Sequence, residues 1–424
     1  MPTTGPAREA GEAIRPDEVR ILGMDLTSGI PFWLVKGGLP ATYPKLDQDR
    51  RCDLAVIGGG ITGALVAHRF ADEGIHTVLL EGREMGYGST GACTALLQYE
   101  LDLHLSDLAE RIGASAAQRC YRGCLDALLG IERLAAEVGG DSDYSRRSSL
   151  YLASARRDVK ALERERKARR ELGIEVDLLS PGDIRERFSF ERPAALLSKL
   201  AGEIDPLRFT HALLAAAGRQ GLEAYDRTGV SRYQSDRKGV LLETADGWRV
   251  RARKAIFATG YNIPPFVPRR SISLNSTFAF ATSPLAGFDG WGEDRCLIWE
   301  TARPYFYART TPDGRAIIGG ADQPFKGSHK VDRVQDRQIA RLARQFAEMF
   351  PGIAFDVDWS WAGTFAETAD GLPYIGVAPE FPNGYVALGY GANGVVFGYV
   401  AASLLLDLFL GRGSPDAELF RIGR

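Results

Sequence analysis

The sequence predicts an α/β protein in which a Rossmann-type dinucleotide-binding domain is joined to a second domain with a mixed or antiparallel β-sheet. Three observations support this prediction. A strand, a glycine loop, a helix and a second strand follow one another over residues 52–84. Alternating strands with a hairpin signal lie between Ser271 and Gly320. A strand, a glycine-rich turn and an apolar helix then close the chain. The 424 residues exceed one ordinary hydrophobic core, so we expect two domains.

The first unit carries the pattern G-x-G-x-x-G directly after its apolar strand. Gly58 permits the tight turn, Gly60 lets a pyrophosphate approach the backbone, and Gly63 lets the helix pack close to the strand. The next strand, over residues 76–80, ends at Glu81, where a carboxylate can bind a ribose hydroxyl. The ordered unit predicts a bound dinucleotide. The alternative is a βαβ unit that binds nothing.

Bulk composition excludes several classes of protein. A hydrophobic content of 45% and a charged content of 25% are typical of a globular protein. The formal net charge of −2 gives no general attraction to nucleic acid or anionic lipid. Five scattered cysteines indicate no disulfide framework, which favours a reducing, cytoplasmic location. The apolar stretch 395–410 is short and contains Asp407, so it predicts a packed helix and no transmembrane segment.

Several further elements can be predicted in chain order. The segment after Glu81, GREMGYGSTGACTALLQ, is rich in small and hydroxyl side chains and predicts a loop in contact with the cofactor. A long helix is expected over residues 116–138. Its Cys120 and Cys124 are interpreted as half-buried thiols, and no metal site is predicted. A highly charged helix ends at Gly173, and its charge run is interpreted as a solvated face.

The expected domain organisation is discontinuous. Residues 1–50 form an N-terminal extension over the surface, with Phe32 and Trp33 as anchors. The nucleotide-binding domain takes residues 51–140, 199–265 and 357–424. The substrate domain takes residues 141–198 and 266–356.

Taken together, the ordered motifs resemble the FAD-dependent oxidoreductases of the D-amino-acid oxidase and glycine/sarcosine oxidase superfamily. The resemblance is narrowest to the branch that includes γ-glutamylputrescine oxidoreductase. Besides AVIGGGITG and its acid, the matching pieces are GSTGACTALL, GEIDPLRFTHALL, KAIFATGY, PYFYARTTPDGRAIIGG, TFAETADGLPYIG and GYVALGYGANG. The resemblance implies a D-amino-acid oxidase-like fold with bound FAD.

The resemblance also implies where FAD would be held. The glycine loop would bind the pyrophosphate and Glu81 the adenosine ribose, while the last glycine turn would direct helix N–H groups at the flavin pyrimidine. The cofactor-binding residues implied in this way are Gly58, Gly60, Ile61, Thr62, Gly63, Glu81, Gly82, Arg83, Ser89, Thr90, Ala92, Cys93, Thr94, Val230, Ala258, Thr259, Gly260, Gly391, Ala392, Asn393 and Gly394.

The substrate side is expected on the strand PYFYART. Tyr305, Tyr307 and Arg309 are two residues apart, so they project from one face of that strand. A guanidinium flanked by two phenols can bind a carboxylate. An ordinary half-exposed strand is the alternative from the residues alone. In the family that the chain resembles, an arginine on the matching strand binds the substrate carboxylate. The resemblance therefore makes Arg309 the first candidate for binding the substrate, and Arg303 and Tyr261 are weaker candidates.

The resemblance implies oxidation of the C–N bond of a D-amino acid, an N-substituted glycine or a γ-glutamyl amine, by hydride transfer to flavin N5. Oxygen, a quinone or a carrier protein would reoxidise the flavin. Sarcosine-oxidase relatives attach flavin through a cysteine before the segment that matches TADGLPYIG, and WAGTFAETADG contains none. Non-covalent FAD is therefore expected. The alternatives are a 2-hydroxy acid or glycerol-3-phosphate dehydrogenase, and a non-catalytic or RNA-modifying flavoprotein, although no basic tract supports RNA binding.

Overall fold

The computed structural model describes residues 19–20, 26–139, 142–268, 272–292 and 294–424. Two large β-sheets form its framework, and helices cover both. This arrangement confirms the predicted Rossmann-type domain joined to a domain with a mixed sheet. Residues 1–18 and 21–25 of the expected N-terminal extension lie outside the described residues.

The strands are β1 (Val19–Arg20), β2 (Thr27–Gly29), β3 (Arg50–Ile57), β4 (Thr77–Leu80), β5 (Leu96–Gln98), β6 (Ser145–Leu152), β7 (Asp177–Leu179), β8 (Ala195–Glu203), β9 (Glu223–Tyr225), β10 (Val230–Asp236), β11 (Gly239–Thr244), β12 (Arg249–Phe257), β13 (Ile272–Thr282), β14 (Leu297–Glu300), β15 (Phe306–Thr310), β16 (Ala316–Pro324), β17 (Val357–Thr368), β18 (Tyr374–Val377) and β19 (Gly384–Leu388). The α-helices are α1 (Phe32–Gly37), α2 (Ile61–Asp72), α3 (Ser89–Ala92), α4 (Leu105–Ile112), α5 (Ala114–Glu137), α6 (Val159–Glu171), α7 (Pro181–Arg187), α8 (Pro206–Arg219), α9 (Ser328–Met349), α10 (Gly394–Phe409) and α11 (Ala417–Phe420).

The first sheet is the nucleotide-binding one. Strands β12, β3, β4 and β9 run parallel side by side, and β19 joins β12 in parallel as well. The last strand of the chain thus returns to the first sheet, as the closing strand–turn–helix pattern predicts. Helix α2 packs between α8 and α10 on one face of this sheet, where their apolar side chains form a common core.

The second sheet is mostly antiparallel, in the described order β2, β17, β13, β16, β15, β14, β6, β8, β5. The hairpin predicted at Pro312–Gly314 joins β15 to β16. Helix α9 packs on this sheet over a second apolar core. No helix of the described residues is long and apolar enough to cross a membrane.

Strands β5 and β17, and the second half of β8 (residues 199–203), lie in a different sheet from the one that their expected domain implies. Strand β17 pairs with β13 along its length, although residues 357–424 were expected in the nucleotide-binding domain. Strand β5 pairs with β8 in the same second sheet, although residues 51–140 were expected in the first domain. The partners of a strand are set by long-range pairing, which position along the chain does not reveal. The chain therefore crosses between the sheets more often than expected, and the domain limits remain a prediction.

The N-terminal segment adds to the second sheet through β2 and then forms α1. Phe32 and Trp33 are buried at 1% and 0% exposure, so both anchor this segment in the protein body. The indole Nε1 of Trp33 donates to the carbonyl oxygen of Cys93 at 2.6 Å. The segment is thus bonded to the loop that was expected to contact the cofactor.

The charged helix α6 is not simply a solvated face, and that prediction is wrong for two of its residues. Glu165 and Arg169 are both fully buried. Arg169 Nε donates to Glu165 Oε1 at 2.7 Å, and Nη1 lies 3.3 Å from Glu100 Oε1. Glu165 also accepts from the backbone N–H of Leu105 at 2.9 Å, at the first residue of α4. Glu165 and Arg169 pair inside the protein because positions i and i+4 lie on the same helix face, and this face of α6 packs against α4.

Replacing Arg169 should therefore destabilise the protein strongly. The change Arg169→Met leaves the buried carboxylates of Glu165 and Glu100 without their cation, so we expect the free energy of unfolding to fall by about 3–5 kcal/mol. Urea unfolding of the purified protein measures this. The exposed neighbour on the same helix provides the control, since Arg170→Met should change stability by less than about 0.5 kcal/mol. Equal stability of the two variants would contradict the role given to Arg169.

Candidate active site

A cavity of about 720 Å³ lies where the carboxyl ends of the first-sheet strands meet one face of the second sheet. The first sheet contributes the residues that end or follow β3, β4 and β12. The second sheet contributes side chains of β5, β13, β14 and β17. The carboxyl edge of a parallel sheet is the usual place for a ligand in an open α/β fold.

The glycine loop leaves no room for side chains on its inner face. Gly58 has a φ of +113°, and a Cβ there would lie 2.3 Å from the carbonyl oxygen of Ala258. A Cβ on Gly63 would lie 1.8 Å from the carbonyl oxygen of Gly58. Helix α2 therefore begins in direct backbone contact with the loop. Its first turn faces the cavity, and N–H groups at a helix N-terminus bind phosphate.

Glu81 lies at the end of β4, on the wall of the cavity. Its Oε2 accepts from the backbone N–H of Gly59 at 2.7 Å, and its Oε1 accepts from that of Arg83 at 2.9 Å. These two bonds fix the carboxylate beside the glycine loop. Each oxygen keeps a lone pair for a further donor such as a ribose hydroxyl.

The loop after β4 is held to the glycine loop and to the second sheet. Thr90 Oγ1 accepts from the backbone N–H of Ile61 at 2.9 Å, at the start of α2. The indole of Trp361 donates to the carbonyl oxygen of Ala92 at 2.9 Å, next to the carbonyl bonded by Trp33. Residues 92–95 therefore form a rigid wall of the cavity, which suits close contact with a planar ring.

The closing glycine turn lies on the same cavity. Asn393 Nδ2 donates to the carbonyl oxygen of Glu100 at 2.5 Å, and Tyr261 Oη donates to that of Gly391 at 3.2 Å. Helix α10 begins at Gly394, so the positive end of its dipole faces the cavity. An anionic ring system would be stabilised there.

The structure brings the predicted cofactor residues together around this one cavity. Gly63 does not line it, since it faces the backbone of Gly58 as described above. The others that line it are Gly58, Gly60, Ile61, Thr62, Glu81, Gly82, Arg83, Ser89, Thr90, Ala92, Cys93, Thr94, Val230, Ala258, Thr259, Gly260, Gly391, Ala392, Asn393 and Gly394. A dinucleotide therefore fits the glycine loop, the acid and the two helix N-termini.

Tyr305 and Tyr307 line the end of the cavity that is formed by the second sheet, together with Trp299. The two phenol rings have centroids 5.6 Å apart. Burial raises the pKa of both phenols, so they stay protonated and can donate hydrogen bonds. We call this end of the cavity the aromatic chamber.

The expected role of Arg309 is corrected by its position. The side chain is fully buried and does not line the cavity. Its guanidinium donates to the carbonyl oxygens of Ala95 and Ile204, both at 2.9 Å, and its Nε lies 3.5 Å from Glu203 Oε2. Because the side chain does not line the cavity, it does not meet a ligand there in this arrangement. Its Nη1 instead bonds the backbone of the wall formed by residues 92–95.

The weaker candidates lie nearer the chamber. Tyr261 lines the cavity at the closing turn. The guanidinium of Arg303 lies over the ring of Tyr305, 4.6 Å from its centroid, and Arg303 Nη2 is 3.8 Å from Asp102 Oδ1. Arg303 is therefore a cation beside the chamber.

Several chamber residues were missed from the sequence. Gln98, Glu100 and Asp102 line the cavity on the segment that follows the cofactor loop. Their alternation with apolar residues in LLQYELDL was the available signal. Asp322 carried no local signal, because a bulge between β13 and β16 places it beside Thr277.

Asp322 has an unusual protonation equilibrium. The pKa of its carboxyl is raised to about 7, chiefly by burial and also by the charges of Asp102 and Glu367, against the opposing effects of Thr277 and Arg303. A carboxyl of this kind stabilises the fold below its unfolded pKa and loses that contribution as pH rises through about 7.

The change Asp322→Asn should therefore stabilise the protein in a pH-dependent way. We expect the gain in the free energy of unfolding over wild type to be about 1–3 kcal/mol larger at pH 8 than at pH 5. Urea unfolding at both pH values measures it, and the exposed Asp47→Asn serves as control. A gain that does not depend on pH would contradict the raised pKa.

Comparisons with known proteins agree with this geometry. A sequence profile of the FAD-dependent oxidoreductase family DAO matches residues 53–408. γ-Glutamylputrescine oxidoreductase of Escherichia coli (strain K12) is 26% identical over 397 residues, which cover 90% of this chain and 88% of that protein. Glycine oxidase of Bacillus subtilis (strain 168) is 27% identical over 386 residues, which cover 88% and 98%.

The fold agrees as well. The crystal structure of glycine oxidase from Geobacillus kaustophilus superposes with a TM-score of 0.75 at 22% identity, over 88% of this chain and 99% of that one. The profile match spans most of the chain and includes both the glycine loop and the closing turn. This protein therefore belongs to the FAD-dependent oxidoreductase family DAO and is an FAD-dependent enzyme.

Proposed function

We propose that this enzyme oxidises the C–N bond of an amino acid or a related amine with FAD that is bound non-covalently in the cavity. The observation that carries the proposal is the continuity of that cavity, which joins the glycine loop and Glu81 to the aromatic chamber. Its relatives glycine oxidase and γ-glutamylputrescine oxidoreductase support an amine substrate.

The residues of this chain would share the task of holding FAD. The first turn of α2 would bind the pyrophosphate, and Glu81 would accept from the adenosine ribose. Val230 would offer its backbone to the adenine. The flavin ring would lie between the wall of residues 92–95 and the turn before α10.

Non-covalent binding of FAD is supported by the protonation of the cysteine thiol that lines the cavity. Of the five cysteines, Cys93 lines the cavity. Burial raises the pKa of its thiol, and the protonated form is a poor nucleophile. Its Sγ also accepts from the backbone N–H of Ala95 at 3.2 Å, which holds it in place.

Bound FAD supplies the hydride acceptor for the reaction. The protein would contribute orientation, exclusion of water and electrostatics. The phenols of Tyr305 and Tyr307 would orient the substrate in the chamber, and the dipole of α10 would favour negative charge on the ring. Among the described histidine side chains, none lines the cavity.

Substrate classes can be separated by mixing the purified yellow protein anaerobically with D-amino acids, N-methylated amino acids, γ-glutamyl amines and 2-hydroxy acids. We expect an amine or amino acid to bleach the flavin absorbance and acid denaturation to release free FAD. Bleaching by 2-hydroxy acids or glycerol 3-phosphate alone would overturn the C–N assignment. Reoxidation of the bleached protein by oxygen, a quinone analogue or a carrier protein then identifies the class of electron acceptor.

The proposed role of Glu81 predicts a specific loss of FAD affinity. The change Glu81→Gln removes the charge that would accept the ribose hydroxyl, so we expect the dissociation constant for FAD to rise by about tenfold or more. Quenching of FAD fluorescence during titration of the apoprotein measures this. Glu84→Gln, on the same loop but outside the cavity lining, is the control. Unchanged affinity in Glu81→Gln would remove this residue from the cofactor site.

A further inference from the structure

We infer that the aromatic chamber accepts a substrate that carries a positive charge in addition to the amine that is oxidised, such as a diamine or a polyamine. The inference rests on the proposed function and names the substrate class of the same site. It follows from an excess of carboxylates over cations around the chamber.

Two carboxylates lie on the cavity lining itself. Glu100 and Asp102 are separated by one residue, and both line the cavity. Glu100 is only 3% exposed, and its Oε2 has no hydrogen-bond partner. Its other oxygen, Oε1, faces Arg169 at 3.3 Å. The carboxyl group of Glu100 thus lies in the wall of the cavity with only part of its hydrogen-bonding capacity used.

Two more carboxylates lie next to the chamber. Asp322 has a buried Oδ1 without a hydrogen-bond partner, and its charge acts on the phenols of both Tyr305 and Tyr307. Glu367 accepts a hydrogen bond from Asn275 Nδ2 at 2.7 Å. The pKa of Glu367 is raised mainly by burial and also by the charge of Asp102. The carboxylates of Asp102, Asp322 and Glu367 are therefore close enough to repel one another.

The described basic side chains do not balance this charge. Arg303 pairs loosely with Asp102, and its side chain is 45% exposed. Arg169 is shared between Glu100 and Glu165. Arg309 is bonded to backbone carbonyls behind the wall of residues 92–95. Glu100 faces Arg169, so within the described residues the other three carboxylates share a single half-exposed arginine.

The remaining chamber surface also suits a cation. Trp299, Tyr305 and Tyr307 present aromatic rings to the cavity. Aromatic faces attract ammonium and guanidinium groups most strongly where water is excluded. A distal ammonium would thereby meet ring faces next to the lining carboxylate of Asp102. Arg303 could still hold a single carboxylate, so an amino acid with a cationic side chain fits the class.

Matched substrates test the inference with the flavin-loaded enzyme. N-methylputrescine and N-methylbutylamine share the same secondary amine and differ in a distal ammonium, while N-methylglycine carries a carboxylate. We expect N-methylputrescine to bleach the flavin with at least about tenfold higher efficiency than N-methylbutylamine. In Asp102→Asn and Asp322→Asn that ratio should fall by at least about fivefold. In Arg303→Gln the ratio should rise, and N-methylglycine should react less well.

Glu171→Gln, an exposed change on α6, should keep the wild-type ratio.

Binding without turnover gives an independent readout, because a bound ligand shifts the absorbance of oxidised flavin. Putrescine should shift the spectrum at lower concentration than butylamine, and Asp322→Asn should remove that difference.

The outcomes separate this inference from the proposed function. Equal efficiency of the two amines, with a ratio unchanged in the aspartate variants, would overturn the cationic subsite and leave C–N oxidation intact. Failure of every amine to bleach the flavin would overturn the proposed function. Preferential binding of putrescine would in that case still support the cationic subsite.

Discussion

The backbone contact between Gly58 and Gly63 is the constraint on which the rest of this structure depends. Only residues without Cβ atoms allow α2 to begin against the end of β3, since a Cβ on Gly63 would lie 1.8 Å from the Gly58 carbonyl oxygen. That contact directs the first turn of α2 at the cavity. Glu81 and Thr90 are then bonded to the same short loop, so the position of one helix end determines the geometry of the nucleotide side.

The second half of the site depends on buried donors that hold backbone in place. Trp33, Trp361 and Arg309 come from three distant parts of the chain, and all donate to carbonyl oxygens within residues 92–95. Each of these donors is 1% exposed or less. The three donors thus hold the wall in place without lining the cavity themselves.

Sequence reasoning was accurate where the signal is local. The glycine loop, the acid after β4 and the return of the last strand all follow from short-range patterns, and the structure contains each of them. The profile match supports the same family as the quoted motifs.

Errors arose where partners are distant in sequence. Alternation along the strand correctly places Tyr305, Tyr307 and Arg309 on one face. It does not show how far along that face the cavity extends. Arg309 reaches carbonyls more than 100 residues away, which no local pattern reveals. The pairing of Arg169 with Glu100 and the sheet membership of β17 have the same origin.

A crystal structure of the yellow, flavin-loaded protein would test most directly whether FAD and the substrate share one continuous cavity. The account predicts the pyrophosphate at the first turn of α2, and the flavin ring between residues 92–95 and the turn 391–394, with its reactive face toward Tyr305 and Tyr307. A flavin ring outside that space, or one covalently bonded to the protein, would contradict it.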